Sequence, residues 1–222
     1  MRNDVTLEWG GTTLTLLPER AVWWAAESTL FIADPHFGKA AAFRFAGIPV
    51  PETSHEDDLE RLTHILTHTS ARRLVILGDF LHAKTGRNES MFAALRTWRE
   101  SHAALEIVLV EGNHDRRSGT LPEDLRITCV KGPWPLGPFH CRHEPQEDAE
   151  AVVLAGHIHP SYGLSDRLGT SVRAPCFHFS ARVVLLPAFG SFTGTHGIRP
   201  AATDRVFLVG TDAVIEVSGA VK

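Results

Sequence analysis

Four short apolar runs in this chain each end in residues able to hold a metal ion. Leu30-Phe31-Ile32-Ala33 runs into Asp34-Pro35-His36, and Leu74-Val75-Ile76-Leu77 into Gly78-Asp79. Ile107-Val108-Leu109-Val110 leads to Gly112-Asn113-His114-Asp115, and Val152-Val153-Leu154-Ala155 to Gly156-His157-Ile158-His159. A fifth segment, Phe139-His140-Cys141-Arg142-His143, supplies one more imidazole. The resulting set is Asp34, His36, Asp79, Asn113, His143, His157 and His159, with no cysteine. Imidazole mixed with carboxylate and amide suits Mn²⁺, Fe²⁺ or Zn²⁺ rather than a thiolate zinc site. The set is too large for one ion and suits two ions that share a bridging group, for which Asp79 is the choice. A pair of ions about 3.5–4 Å apart clamps a phosphate, and coordination brings bound water to a pKa of about 7. His114 is not needed as a ligand; it is placed to contact the phosphate or to protonate the leaving oxygen. Asp115 is a candidate to orient that imidazole. His140 and His143 both remain open as the fifth-segment ligand, with His143 preferred because it stands at the strand end before Glu144-Pro145.

Positioning such a set takes parallel strands whose carboxyl ends converge, since open α/β sheets build their sites there. Residues 5–33 read as a β meander, with Gly10-Gly11 as a hairpin signal. Trp23 and Trp24 read as packing residues. Residues 35–52 read as a loop carrying Lys39 and Arg44. A helix is predicted over 54–69, with Thr53 and Glu56 at capping-box spacing and Leu59, Leu62, Ile65, Leu66 and Thr69 inward. His64 and His68 fall off that stripe and read as a solvated face. A second helix is predicted over 89–101, with Phe92, Leu95 and Trp98 inward. Short strands are predicted at 126–130, from Leu168 to Val172, Cys176 to Phe179, Val183 to Leu186, Val206 to Val209 and Ala213 to Val217. The order of hairpin, βα units and then strands predicts two mixed β-sheets face to face, flanked by helices: an α/β/β/α four-layer sandwich. No linker interrupts residues 1–222, which read as one domain.

The 222 residues suffice for a full core, and a net charge of −4 argues against a general affinity for duplex nucleic acid. The 13 histidines are the compositional anomaly. Three cysteines without CxxC spacing suit a reduced compartment. The polar Met1-Arg2-Asn3-Asp4 start is unlike a signal peptide and no apolar run is long enough to span a membrane, so the expectation is a cytoplasmic protein.

Taken together, Asp-x-His, Gly-Asp, Gly-Asn-His-Asp, a lone His and Gly-His-x-His resemble the calcineurin-like metallophosphoesterase superfamily. The resemblance implies the four-layer sandwich and a dinuclear centre in which Asp34, His36, Asp79 and His159 hold one metal. Asp79, Asn113, His143 and His157 would hold the other. Longer segments are more specific. Asp34-Pro35-His36-Phe37-Gly38-Lys39, Gly47-Ile48-Pro49-Val50-Pro51, Gly78-Asp79-Phe80-Leu81-His82-Ala83, His143-Glu144-Pro145, Gly156-His157-Ile158-His159-Pro160, Arg173-Ala174-Pro175-Cys176-Phe177 and the stretch from Leu186 to Gly194 resemble the ligase-associated DNA damage response endonuclease family, PdeM. That resemblance runs from about residue 5 to 215. It implies a manganese-dependent phosphodiesterase nicking single-stranded DNA, associated with a DNA ligase, a helicase and an exonuclease. Pro35 stands where the family usually has Leu. His82 stands where many superfamily members read Gly-Asp-x-x-Asp, and is expected near the phosphate, favouring diesters over monoesters.

A single-stranded DNA substrate calls for basic contacts near the metals. Lys39, Arg44, Lys84, Arg116 and Arg117 follow the ligand motifs and are the candidates, with Arg87, Arg142 and Arg173 as further possibilities. Phe37, Phe43, Phe45 and Phe80 are candidates for stacking on bases. Two other functions fit the same motifs. One is a hydrolase of small phosphodiesters or cyclic nucleotides, which differs only in substrate. The other is a non-enzymatic scaffold that retains the fold, against which the intact ligand set and His114 argue.

Overall fold

A computed structural model of the protein describes residues 3–48, 54–165 and 171–217. Thr53, the expected cap, the segment Pro49 to Pro51 and the beginning of the strand predicted from Leu168 lie outside the described residues. The first sheet consists of β1 (Val5–Trp9), β2 (Thr12–Leu17), β3 (Ala21–Trp24), β4 (Thr29–Ile32), β5 (Arg73–Ile76), β6 (Glu106–Val110) and β7 (Thr128–Val130), in that spatial order. Pairing is antiparallel from β1 to β4 and parallel from β4 to β7. The second sheet comprises β8 (Trp134–Leu136), β9 (Phe139–Cys141), β10 (Val152–Ala155), β11 (Pro160–Ser165), β12 (Ser171–Phe179), β13 (Val183–Leu185), β14 (His196–Gly197), β15 (Arg205–Val209) and β16 (Val214–Val217). Within it β10 runs parallel to both β9 and β13. Among the described residues, four α-helices complete the fold: α1 (Lys39–Phe45), α2 (Ser54–Thr69), α3 (Glu89–Ser101) and α4 (Asn113–Ser118).

The apolar runs are continuous because the central strands are covered on both faces. Leu30, Ile32, Leu74, Ile76, Ile107 and Leu109 point toward α2 and α3, where they meet Leu62, Ile65, Phe92 and Leu95. The alternate residues Phe31, Ala33, Val75, Leu77 and Val110 point the other way, into a core shared with Phe139, Leu154, Phe177, Val184 and Phe207 of the second sheet. The result is the predicted pair of large mixed sheets flanked by helices. Trp24 packs between the sheets against Phe31 and Phe139 and donates its indole N–H to Thr12 Oγ1 at 2.8 Å. Asn88 caps α3 by accepting the Met91 N–H at 2.8 Å. Among the described residues, no helix is long and apolar enough to cross a membrane.

Three local readings change. The strands expected from Leu168 to Val172 and from Cys176 to Phe179 are, over the described residues, the one strand β12, which runs on through Arg173-Ala174-Pro175. Residues 39–45, expected as loop, form α1, which starts after Gly38 in the left-handed region (φ 83°) and ends before Gly47 (φ 80°). Lys39-Ala40-Ala41-Ala42 favours a helix, but seven residues are too few to show a helical period. The chain after Pro160 forms β11, antiparallel to β12, where no strand was predicted; its Pro-Ser-Tyr-Gly start reads as turn chemistry.

Candidate dinuclear metal centre

The ligand candidates leave the carboxyl ends of β4, β5, β6, β9 and β10. Pairing continues past the strands: His36 N donates to Asp79 O at 2.9 Å, Phe37 N to Phe80 O at 2.8 Å, and Phe189 N to Ala33 O at 2.7 Å. Asp34, His36, Asp79, His157 and His159 all adopt positive φ, between 48° and 67°. Non-glycine residues seldom do so, and strain of this kind gathers at functional sites. The neighbouring glycines leave room. A Cβ on Gly112 would overlap the Asp79 carboxylate, and one on Gly156 would overlap that of Asp34.

Two clusters result. Asp34, His36 and His159 bring one ligand atom each within 4.8 Å of one another, and so do Asp79, His143 and His157. In the first, His36 Nε2 and His159 Nε2 are 3.3 Å apart, with Asp34 Oδ1 3.7 Å from the latter. In the second, His143 Nε2 lies 3.0 Å from Asn113 Oδ1, 3.0 Å from His157 Nδ1 and 3.4 Å from Asp79 Oδ2. The same Asp79 oxygen is 3.9 Å from His36 Nε2, so this carboxylate stands between the clusters. His143, not His140, occupies the site; His140 Nδ1 is held by Asp148 at 2.7 Å.

The donor set fits divalent ions. Asp34 Oδ1 is enclosed yet accepts no hydrogen bond, which is costly unless a cation or equivalent partner meets it. Backbone carbonyls fix the imidazoles: His143 Nδ1–H donates to Leu77 O at 3.1 Å and His159 Nδ1–H to Gly194 O at 3.0 Å. Each leaves Nε2 facing the cluster, where it becomes a donor to metal once unprotonated. Burial presses His36 down to about 2, against the pull of Asp79. Burial also lifts Asp79, but the hydrogen bond and charge of His143 outweigh it and bring the carboxyl to about 2. For His143, burial is outweighed by Asp79 and Asp34, which raise it to about 9.

His114 borders the centre. Its Nδ1–H donates to His82 O at 2.5 Å, and its Nε2 stands 3.9 Å from Asp79 Oδ2. The expectation that Asp115 orients this ring is corrected. As the third residue of α4, Asp115 folds back over the helix start and accepts from Gly112 N at 2.9 Å and Leu81 N at 3.1 Å. The His82 carbonyl orients His114 instead. The His82 ring stacks on His114 with centroids 5.1 Å apart, and its Nδ1 lies 3.4 Å from His36 Nδ1. Burial, with Lys39 and His114 nearby, lowers His82 to about 4.

The basic candidates divide. Lys39 opens α1 beside the centre, where burial lowers its pKa against the pull of Asp34 and Asp79. Arg44 lines a groove leading from His36. Arg116 is exposed and lies 3.6 Å from Glu144, and Lys84 and Arg117 are also exposed. Arg87 is committed to the carbonyls of Ser118, Gly119 and Thr120, and Arg142 to Gln146 and Asp148. Phe37 and Phe80 are buried in the helix-side core, which removes them as stacking surfaces. The carbonyls of Leu77 and Gly194 escaped sequence reading, because a backbone oxygen leaves no residue-type signal.

Comparison with known proteins decides the family. The calcineurin-like phosphoesterase family model matches residues 28–185, a span containing every ligand candidate. This chain is a calcineurin-like phosphoesterase. The calcineurin-like phosphoesterase is thus a hydrolytic enzyme whose fold implies divalent metal ions, and the two Asp/His clusters are the candidate sites. It is similar to the nuclease MPE of Pseudomonas putida, with 41% identity and a TM-score of 0.84 over 97% of this chain and 100% of that one. This likeness agrees with the PdeM resemblance. The phosphoesterase Yfce from E. coli matches at 15% identity and a TM-score of 0.43, covering 86% and 98% of the two chains. A search of curated proteins finds no match.

Proposed function

We propose that this phosphoesterase hydrolyses phosphodiester bonds in single-stranded DNA, with two Mn²⁺ as its resident ions. It serves DNA repair in the cytoplasm beside a DNA ligase, a helicase and an exonuclease. The observation that carries the reading is a pair of adjoining Asp/His clusters able to hold divalent ions, in a chain 41% identical to a nuclease over nearly its whole length. Oxygen and imidazole donors without thiolate suit Mn²⁺, Fe²⁺ or Zn²⁺, and the choice of manganese among them rests on the PdeM resemblance. The free thiols Cys141 and Cys176 are buried and suit a reducing compartment.

Asp34, His36, Asp79 and His159 would hold one ion, and Asp79, Asn113, His143 and His157 the other. When bound, the pair supplies charge for the phosphoryl oxygens and lowers the pKa of water at the site. The protein then fixes the remaining geometry. His114, held through Nδ1, presents Nε2 beside Asp79, where it can give a proton to the departing 3′ or 5′ oxygen. His82 backs both His114 and His36. Lys39 adds positive charge where a phosphate chain would enter.

The test is cleavage of labelled single-stranded and duplex DNA with added Mn²⁺, using wild type, Asp79→Ala and His114→Ala. Metal-dependent nicking of single strands, lost in both variants, is expected. Absence of DNA cleavage alongside turnover of a small chromogenic diester would replace this reading with that of a small-diester hydrolase.

A further inference from the structure

A groove leaves the metal centre at His36 and passes between α1 and the turn at Phe192-Thr193. Lys39 and Arg44 line it, and so does His55, whose enclosed Nε2 has no hydrogen-bond partner. The chain has twelve phenylalanines. Among them, only Phe45 (79% exposed) and Phe192 (37%) count as exposed. Phe192 lines this groove, and Phe45, the last residue of α1, directly follows Arg44, which lines it. Ile48, half exposed, adjoins Phe45. The other phenylalanines are buried or, at Phe43, partly buried, so two exposed rings near one candidate reaction centre are not accounted for by packing.

We infer that Phe45 and Phe192 form a base-stacking platform that grips the nucleotides flanking the scissile phosphate of a single-stranded DNA. The inference rests on the nuclease reading and names the residues that would give it strand preference. Lys39 and Arg44 along the groove match the charge of a phosphate chain passing over it, and the exposed faces of Phe192 and Phe45 match unpaired bases, the combination by which single strands are held without sequence readout. A duplex keeps its bases stacked on one another and offers no free face to these rings.

The experiment compares wild type, Phe45→Ala, Phe192→Ala and Phe192→Trp, each loaded with Mn²⁺. Substrates are a single-stranded oligonucleotide, the same backbone with abasic residues flanking the cleavage site, and a small chromogenic diester. Both Ala variants should lose about tenfold or more in kcat/KM on the normal oligonucleotide, mainly through KM, as loss of one stacked base implies. On the abasic strand, variants and wild type should be equal. Turnover of the small diester should report an intact centre, and Phe192→Trp should retain the wild-type preference. Normal cleavage of the oligonucleotide by both Ala variants would overturn the platform and leave the nuclease reading standing. Equal losses on all substrates would also overturn it, showing a structural role. Failure of the wild type to cut any oligonucleotide, with the diester still turned over, would instead overturn the nuclease reading and the platform with it. A wild-type dimer that Phe45→Ala converts to monomer, with DNA cleavage unchanged, would show the patch to be a contact between copies.

Discussion

At the centre, neighbouring residues with similar chemistry have separable duties. Asp79 stands between both clusters, accepting the His114 N–H at 2.9 Å through Oδ1 and facing His143 and His36 through Oδ2. Its replacement by Ala therefore removes the shared carboxylate, and bound manganese should fall along with activity. His114 contributes one imidazole and no ligand atom to either cluster. His114→Ala should keep near-normal metal content while kcat falls about 10²–10⁴-fold, the usual weight of a positioned general acid. Metal analysis of the purified variants, run beside the kinetics, separates the roles. Loss of manganese from the His114 variant would recast that residue as part of the metal cage. The ligand types were legible in the sequence because all but His143 follow an apolar run. The true partner of His114 was not, since it is the carbonyl of His82, contributed by a loop 32 positions earlier.

Among the elements, α2 acts on the site without touching it. Asp58 on α2 is buried and accepts both the backbone N–H and the hydroxyl of Ser191, the former at 3.2 Å and 3.1 Å to its two oxygens and the latter at 2.6 Å. Arg61, one turn on, pairs with Asp58 at 2.9 Å, donates to Phe189 O and lies over the Phe189 ring. The clamped stretch ends in Gly194, whose carbonyl fixes the His159 tautomer. Burial raises the Asp58 pKa, with Arg61 and the Ser191 bonds opposing. The Arg61 side chain is 26% exposed, so removing its partner from this part-buried pair costs about 1–3 kcal/mol rather than the larger penalty of a fully buried charge. Asp58→Ala should lower unfolding stability by about that amount in urea titration, and should weaken manganese binding in a calorimetric titration. Unchanged metal affinity in a folded variant would disconnect the clamp from the centre. The hydrophobic periods predicted α2 and α3 and the central strands, because those elements bury one stripe or two faces. They could not predict the Asp58–Ser191 link, which joins positions 133 apart, nor α1, too short for a period to register.

For the whole molecule, two sheets meeting at one rim have gathered a set of charges that only cations can reconcile. Before metal binds, the centre protects itself with a proton: His143 is held charged, at about 9, by Asp79 and Asp34, while Asp79 is held ionised at about 2. The stabilisation from raised His143 is complete below its unfolded value of about 6.5 and is lost as pH rises through 9. That from depressed Asp79 is present above about 3.9 and lost as pH falls toward 2. The metal-free protein should therefore gain most from this pair between about pH 4 and 6.5. Metal binding has the opposite preference, because His143 must surrender its proton to become a ligand. At pH 7 manganese binding should release about one proton from His143, since the depressed His36 and Asp79 have none to give. Calorimetric titration in buffers of different ionisation enthalpy reads that proton directly. The thermal stabilisation by a fixed manganese concentration should also grow from pH 6 toward 9, because ligand that binds only the folded state stabilises it as the logarithm of one plus the ratio of its concentration to Kd, and Kd falls as His143 loses its proton. If metal binding takes up protons at pH 7, or its stabilising effect shrinks as pH rises, then His143 does not enter the manganese shell as the geometry of Leu77, Asn113 and His157 around it requires.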